Sequence, residues 1–320
     1  MTATTLSKLG RAITEPSFAV RAAWRRITER VDTTWFPYLE RVGIHAKKVH
    51  FYSPIPDTRA LPAELWDRRS ELPSLSLNLD AQVALADELG RKFRSEFETF
   101  PLEPDANAQR FFLRNGMYES VDAEVLYGIV RHFHPRRVIE IGSGFSTLLF
   151  SAAISRNQAL GFPGSITSIE PFPREFLRGL PHLERIITKP VQQVPVSEFE
   201  SLGEGDILFV DSTHVAKVGS DVCYEFLELI PRLKPGVLVH VHDVFFPEEY
   251  PRRWIMKDHY FWNEQYLLQA FLAFNTAFEV VWAGRYMHVN RPDALERAFP
   301  SYPRHASDNF PASFWMRRVR

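Results

Sequence analysis

RRVIEIGSGFSTLLF, Arg136 to Phe150, decides the fold. Val138 to Ile141 form an apolar run with one acid in it, Gly142, Ser143 and Gly144 allow a tight bend, and a helix-like run follows from Ser146. A strand, a glycine turn and a helix start in that order present backbone N–H groups and the positive end of a helix dipole to whatever docks there. A dinucleotide fingerprint G-x-G-x-x-G would place glycine at 147, where this chain has Thr147, which weakens a nicotinamide reading. What remains is Glu140, two residues before the first glycine, and GSGFS after it. That set suits a ligand carrying its own ammonium and carboxylate better than a pyrophosphate.

Outward from this stretch the pattern alternates. Helices are expected over 122–133, 146–155 and 219–232, and strands over 137–141, 165–169, 207–210 and 236–241, with Pro235 and Gly236 at a turn. Short apolar runs separated by helices predict an α/β fold, a Rossmann-like, mainly parallel sheet with helices on both faces. In such sheets ligands sit beyond the carboxyl ends of the strands. SITSIEP ends on Glu170, an acid placed to accept hydrogen bonds from ribose hydroxyls. In GDILFVDSTH the strand ends on Asp211 with His214 three residues on, and in GVLVHVHDVFFPEEYP the strand ends on His242 and Asp243. His240 alternates with His242 along the strand, so the alternative for one or both is a hydrogen-bonded strand histidine.

The 320 residues allow one large domain with additions, or two domains. Residues 1–105 read as a helical N-terminal cap region, and 106–320 as the domain that carries the motifs. In the first part LDAQVALADELGRKFRSEFETF has Asp80 at a cap and Val83, Leu85, Leu89 and Phe93 near one face, while prolines 54, 56 and 62 make HFYSPIPDTRALP an ordered loop. The stretch from Lys8 to Arg30, with six basic residues around Phe18, Val20 and Trp24, reads as an amphipathic helix docked on its own protein, with a membrane surface as the alternative.

With 38 basic and 39 acidic residues the chain has no net field for nucleic acid or an anionic membrane. The expected partner is a small molecule or another protein; homo-oligomerisation is left open. One cysteine, Cys223, excludes an internal disulfide framework and a cysteine-based zinc cluster, and fits a reducing compartment. No run approaches the ~18 apolar residues of a membrane span. A cytoplasmic protein without integral membrane association is expected.

The ordered set EIGSGFST, SIEP, ILFVDSTH and HVHDV resembles the class I S-adenosylmethionine-dependent methyltransferases over about residues 110–290. Their first motif usually reads acid-x-G-x-G-x-G. Ser146 in place of the last glycine is similar to the branch of catechol and caffeoyl-CoA O-methyltransferases and antibiotic-tailoring enzymes. The resemblance implies that Glu140, Gly142, Ser143, Gly144 and Ser146 hold the methionine end of S-adenosylmethionine, Glu170 the ribose and Gln192 the adenine, with Asp211 also at the cofactor. It further implies a divalent cation, magnesium or manganese, on Asp211, His242 and Asp243, with a metal-free site as the alternative, and His214 in the place of the base. An imidazole at 242, where the branch usually has a carboxylate, shifts the preference from magnesium toward manganese, iron or zinc.

The implied activity is O-methylation of a small-molecule or sugar hydroxyl, with His214, Asp211 and Asp243 as catalytic residues. The N-terminal region and the 245–265 loop, which carries Tyr250, Arg252, Trp254, Trp262 and Asn263, are expected to wall the acceptor pocket. The competing readings are a nicotinamide-dependent oxidoreductase, disfavoured by Thr147 and by the lack of a Tyr-x-x-x-Lys pair, and a non-catalytic cofactor-binding module.

Overall fold

In a computed structural model the described residues are 34–302 and 311–320, so the helix expected between Lys8 and Arg30 lies outside them. The chain divides into two units, Met1–Pro62 and Ala63–Arg320. In the first, a short helix α1 (Phe36–Glu40) is followed by irregular chain, and the Asp57 side chain caps a single turn by accepting from the backbone N–H of Arg59 at 3.1 Å. His50, Phe51 and Tyr52 pack ring against ring in the proline-bounded stretch.

The second unit is built on seven strands: β1 (Arg137–Ile141), β2 (Ser165–Ile169), β3 (Leu183–Ile187), β4 (Ile207–Val210), β5 (Leu238–Val241), β6 (Phe278–Ala283) and β7 (Phe314–Arg318). Every residue of β4 and β5 is buried, as apolar strands covered on both faces must be. The strands lie in the order β3-β2-β1-β4-β5-β7-β6. β1 to β5 pair in parallel, and β7 runs antiparallel between β5 and β6. The sheet is therefore mixed α/β and mostly parallel, as the alternating pattern predicts. β3, β6 and β7 were not among the expected strands.

Register sets the site. Ile141 is opposite Ile169 on one side and Val210 on the other, and Val210 is opposite Val241. Four strands thus end level, and residues 142, 170, 211 and 242 emerge along one rim.

Helix α2 (Leu79–Phe97) arises from the periodic run seen in the sequence, and it belongs to this same unit. It buries Leu89, Phe93 and Phe97 in one core with Val125, Ile129 and Phe150. Each such side chain contributes roughly 1.5–3 kcal/mol relative to exposure. Gly90 permits the close crossing of α2 over residue 298: a Cβ there would lie 2.7 Å from the Cα of Ala298. Helix α3 (Asp122–Phe133) buries Asp122, whose carboxylate accepts from the backbone N–H groups of Ala312 and Ser313 at 2.8 and 3.0 Å and so fixes the approach to β7. Helix α4 (Phe145–Ala159) follows β1 directly. No helix among the described residues is long and apolar enough to cross a membrane.

A chain starting at Ala63 should therefore keep a single cooperative urea transition, while one starting at residue 106 should lose it. Leu89→Ala in the full chain should lower unfolding free energy by about 2–5 kcal/mol. An unchanged transition without α2 would show that this helix is dispensable to the core.

Candidate active site

The turn after β1 depends on Gly142. Its φ of +80° lies in the left-handed region, and a Cβ there would be 1.9 Å from the carbonyl oxygen of Asp211. The same crossing is closed by the Asp211 N–H, which donates to the Ile141 carbonyl at 2.9 Å. The end of β1 and the end of β4 are thus held in direct backbone contact. At Gly144 a Cβ would meet nothing within 4 Å, so the chain leaves open space at the start of α4.

Glu140 does not line the cleft over this turn. It lies buried beneath, accepting from the Ser146 and Thr147 hydroxyls at 2.7 Å each, while Thr147 Oγ1 accepts from the Gly144 N–H at 3.0 Å. Burial raises its carboxyl to about 8 despite those two hydrogen bonds. The acid expected to touch the ligand instead braces the turn, and Thr147, which breaks the dinucleotide pattern, is one of its two partners.

Gly142, Ser143, Gly144, Ser146, Glu170, Asp211, His214, His242 and Asp243 all line one cleft of about 500 Å³. Glu170 accepts from the N–H of Ser143 at 3.4 Å and of Phe172 at 2.8 Å. The Ser143 hydroxyl is buried without a hydrogen-bond partner among the described residues. Gln192 is not at the cleft; it is exposed and donates to the Gly219 carbonyl at 3.0 Å.

The other half of the cleft centres on His214. Its Nε2 lies 3.3 Å from Asp211 and 3.4 Å from Asp243, and its Nδ1 lies 2.8 Å from Glu264 Oε2. Burial by itself would lower the imidazole, but the hydrogen bonds of Asp211 and Glu264 and the charge of Asp243 raise it well above its ordinary value. Burial would likewise raise Asp211, yet the charge of His242 and the bond to His214 bring it to about 2. Asp243 moves the other way, raised by burial. His214 and Asp243 both adopt left-handed backbone, φ +60° and +55°. Such non-glycine conformations cost about 1–3 kcal/mol each and persist where the surroundings over-determine them.

Asp211, His214 and Asp243 offer ligand atoms all within 4.8 Å of one another, a donor set suited to a divalent cation. His242 is not in that group; its Nε2 is 3.8 Å from Asp243, and its ring packs on Tyr118 at 4.8 Å. His240 is a core residue stacked on Phe209 at 3.9 Å, and burial holds its imidazole well below the usual value. Sequence reading did not find Glu264 or Tyr118. Glu264 opens an apolar helix 50 residues from His214 and has the pattern of a solvated first-turn acid; Tyr118 sits in no recognisable motif.

A family model described as a methyltransferase domain matches residues 139–244. An uncharacterised protein of Archaeoglobus fulgidus is 32% identical over 167 residues, covering 49% of this chain and 74% of that protein. An O-methyltransferase from Bacillus cereus in complex with SAH is similar in structure with 12% identity over 74% of this chain and 91% of its own, at a TM-score of 0.39.

Two outcomes test the turn. Gly142→Ala should lower stability by at least ~1–2 kcal/mol from the left-handed backbone alone, and by more because the Asp211 carbonyl must move; an unfolding curve matching wild type would refute the contact. Glu140 is protonated in the folded ligand-free protein up to about pH 8, whereas an unfolded glutamate ionises near 4.3. Between those values the folded state holds the extra proton, so this group's contribution to stability falls as pH rises. Glu140→Gln should remove that slope, leaving the variant relatively more stable at pH 8 than at pH 5 in paired thermal melts.

Proposed function

The chain belongs to the class I S-adenosylmethionine-dependent methyltransferases, and from that premise we propose that it methylates a hydroxyl oxygen of a small-molecule acceptor. The observation that carries this is the single nitrogen, His214 Nε2, set between Asp211 and Asp243 on the cleft wall. A hydroxyl is a poor nucleophile until its proton is removed or shared, and a histidine within hydrogen-bond reach is the residue suited to take it.

The residues present fit the cofactor. The open space at Gly144, the unpartnered Ser143 hydroxyl and the N-terminus of α4 suit its amino-acid end, and Glu170 suits its ribose. When bound, the cofactor supplies a methyl group on a sulfonium. The chain contributes position and proton transfer: Gly142 to Gly144 and Glu170 hold one reactant, and Asp211 and Asp243 orient the acceptor hydroxyl. Positive charge on the bound donor would lower the affinity of the His214 imidazole for a proton in this acid cluster, so that Nε2 is neutral before transfer and receives the acceptor's proton, and the imidazolium so formed is stabilised by neighbouring carboxylates.

A second reading is favoured by the clustering of Asp211, His214 and Asp243 within 4.8 Å. These residues would hold a divalent cation, which would lower the pKa of the acceptor hydroxyl and orient it.

The experiment is methyl transfer from labelled cofactor to a panel of phenols, catechols and sugars, with products identified by mass spectrometry. Methyl found on nitrogen or carbon alone would overturn the oxygen assignment. In the base mechanism His214→Ala should lower kcat by roughly 10²- to 10⁴-fold with little change in cofactor affinity, and activity should survive EDTA. In the metal reading EDTA should abolish turnover and one divalent ion restore it, with Asp211→Asn and Asp243→Asn raising the ion concentration needed. Activity indifferent to all of these would discard the site.

A further inference from the structure

His214 is held by a segment beyond the matched methyltransferase stretch. Its carbonyl accepts from the N–H groups of Asn263 and Glu264 at 3.1 and 3.3 Å, and the Asn263 side chain accepts from the N–H of Ala216 at 2.6 Å. The Trp262 ring lies on its imidazole at 4.4 Å. Glu264 completes the set, its Oε2 2.8 Å from Nδ1. Backbone, ring face and ring nitrogen of one residue are therefore all engaged by three consecutive residues at the start of helix Glu264–Leu272.

An acid in the first turn of a helix is normally solvated and interacts with the dipole from the surface. Glu264 is 2% exposed in its side chain, and its Oε1 has no hydrogen-bond partner among the described residues. A carboxylate buried in this way is costly unless a cation or a strong donor meets it, and His214 is the group that does.

We infer that Glu264 is the positioning residue for His214: it keeps Nδ1 protonated and the ring oriented so that Nε2 is presented to the cleft. This rests on the reading of His214 as the group that acts on the acceptor. The left-handed backbone at His214 is then the conformation the clamp imposes, and Trp262 and Asn263 fix the ring plane and the loop while Glu264 fixes the tautomer. A carboxylate on the distal nitrogen gives either a base or a metal ligand the same benefit, since both need a lone pair at Nε2.

The test uses full-length, EDTA-treated protein with ¹⁵N-labelled histidine, and the His214 resonances are assigned by their loss in His214→Gln. The expected result is a protonated, strongly hydrogen-bonded Nδ1 whose downfield proton moves upfield or vanishes in Glu264→Gln. S-adenosylhomocysteine affinity by calorimetry should stay within about twofold, and turnover in the methyl-transfer assay should fall roughly 10- to 100-fold. In a His214→Gln background the second substitution should cost no further turnover. A bare Nδ1 in the wild-type spectrum overturns the proposal whether or not the variant folds. So does a Glu264→Gln protein whose Nδ1 proton is unmoved, or an equal loss of turnover with His214 already removed. Full turnover in His214→Gln with the Nδ1 proton still lost in Glu264→Gln would overturn the base reading and leave the positioning in place.

Discussion

The contact on which the site depends is the one between Gly142 and the carbonyl of Asp211, where no side chain fits. It fastens the turn that follows β1 to the residue that ends β4. The turn proposed to hold the cofactor and the Asp211 cluster proposed to meet the acceptor are thereby brought to one rim. The level register of β2, β1, β4 and β5 does the rest, delivering Glu170 on one side and Asp243 on the other. A shift of one residue between β1 and β4 would turn the β4 side chains to the other face of the sheet and break this contact.

The cleft is rich in acid. Asp211, Asp243 and Glu264 surround one imidazole, with Glu170 farther along the wall. Such a cluster is stable only if positive charge resides in it or some of its acids take up a proton. An imidazolium, a divalent cation and a sulfonium all meet that need. In the reaction proposed above, methyl transfer from a sulfonium to a neutral hydroxyl would liberate one proton, and a histidine that kept it would keep the positive charge among the carboxylates. The electrostatic environment would then change little over that reaction.

How much of this is legible in the sequence follows the range of the interactions. β1, β2, β4 and β5 are apolar runs between turn residues, and local pattern suffices. So do Glu170, Asp211, His214 and Asp243, because strand ends determine their position. β3 escaped because LERII is partly exposed and carries a charge pair, and β6 and β7 because Glu279 and the pair Arg317 and Arg318 interrupt their apolar runs. Glu140 was placed in the motif but assigned contact with the ligand; spacing reports where an acid is along a strand, while the hydroxyls of Ser146 and Thr147 decide which way it turns. Gln192 lies near the cleft in sequence pattern but bonds to Gly219 instead. Glu264 and the burial of α2 against α3 depend on tertiary packing, which no local pattern encodes.

The insertion of β7 between β5 and β6 bears on the order in which the molecule can be made. β5 carries Val241 up to His242 and Asp243, yet one of its edges stays open until a strand some 70 residues later has been synthesised. During translation the ribosome therefore exposes an open strand edge beside a half-assembled site, on a strand that is fully buried in the finished fold, the kind of edge that pairs with other chains. The buried Asp122 waits for the same segment, since its acceptors are met by Ala312 and Ser313. The parallel half of the sheet, β1 to β5, can form early on the ribosome, whereas the second edge of β5 is closed only when the last strand arrives.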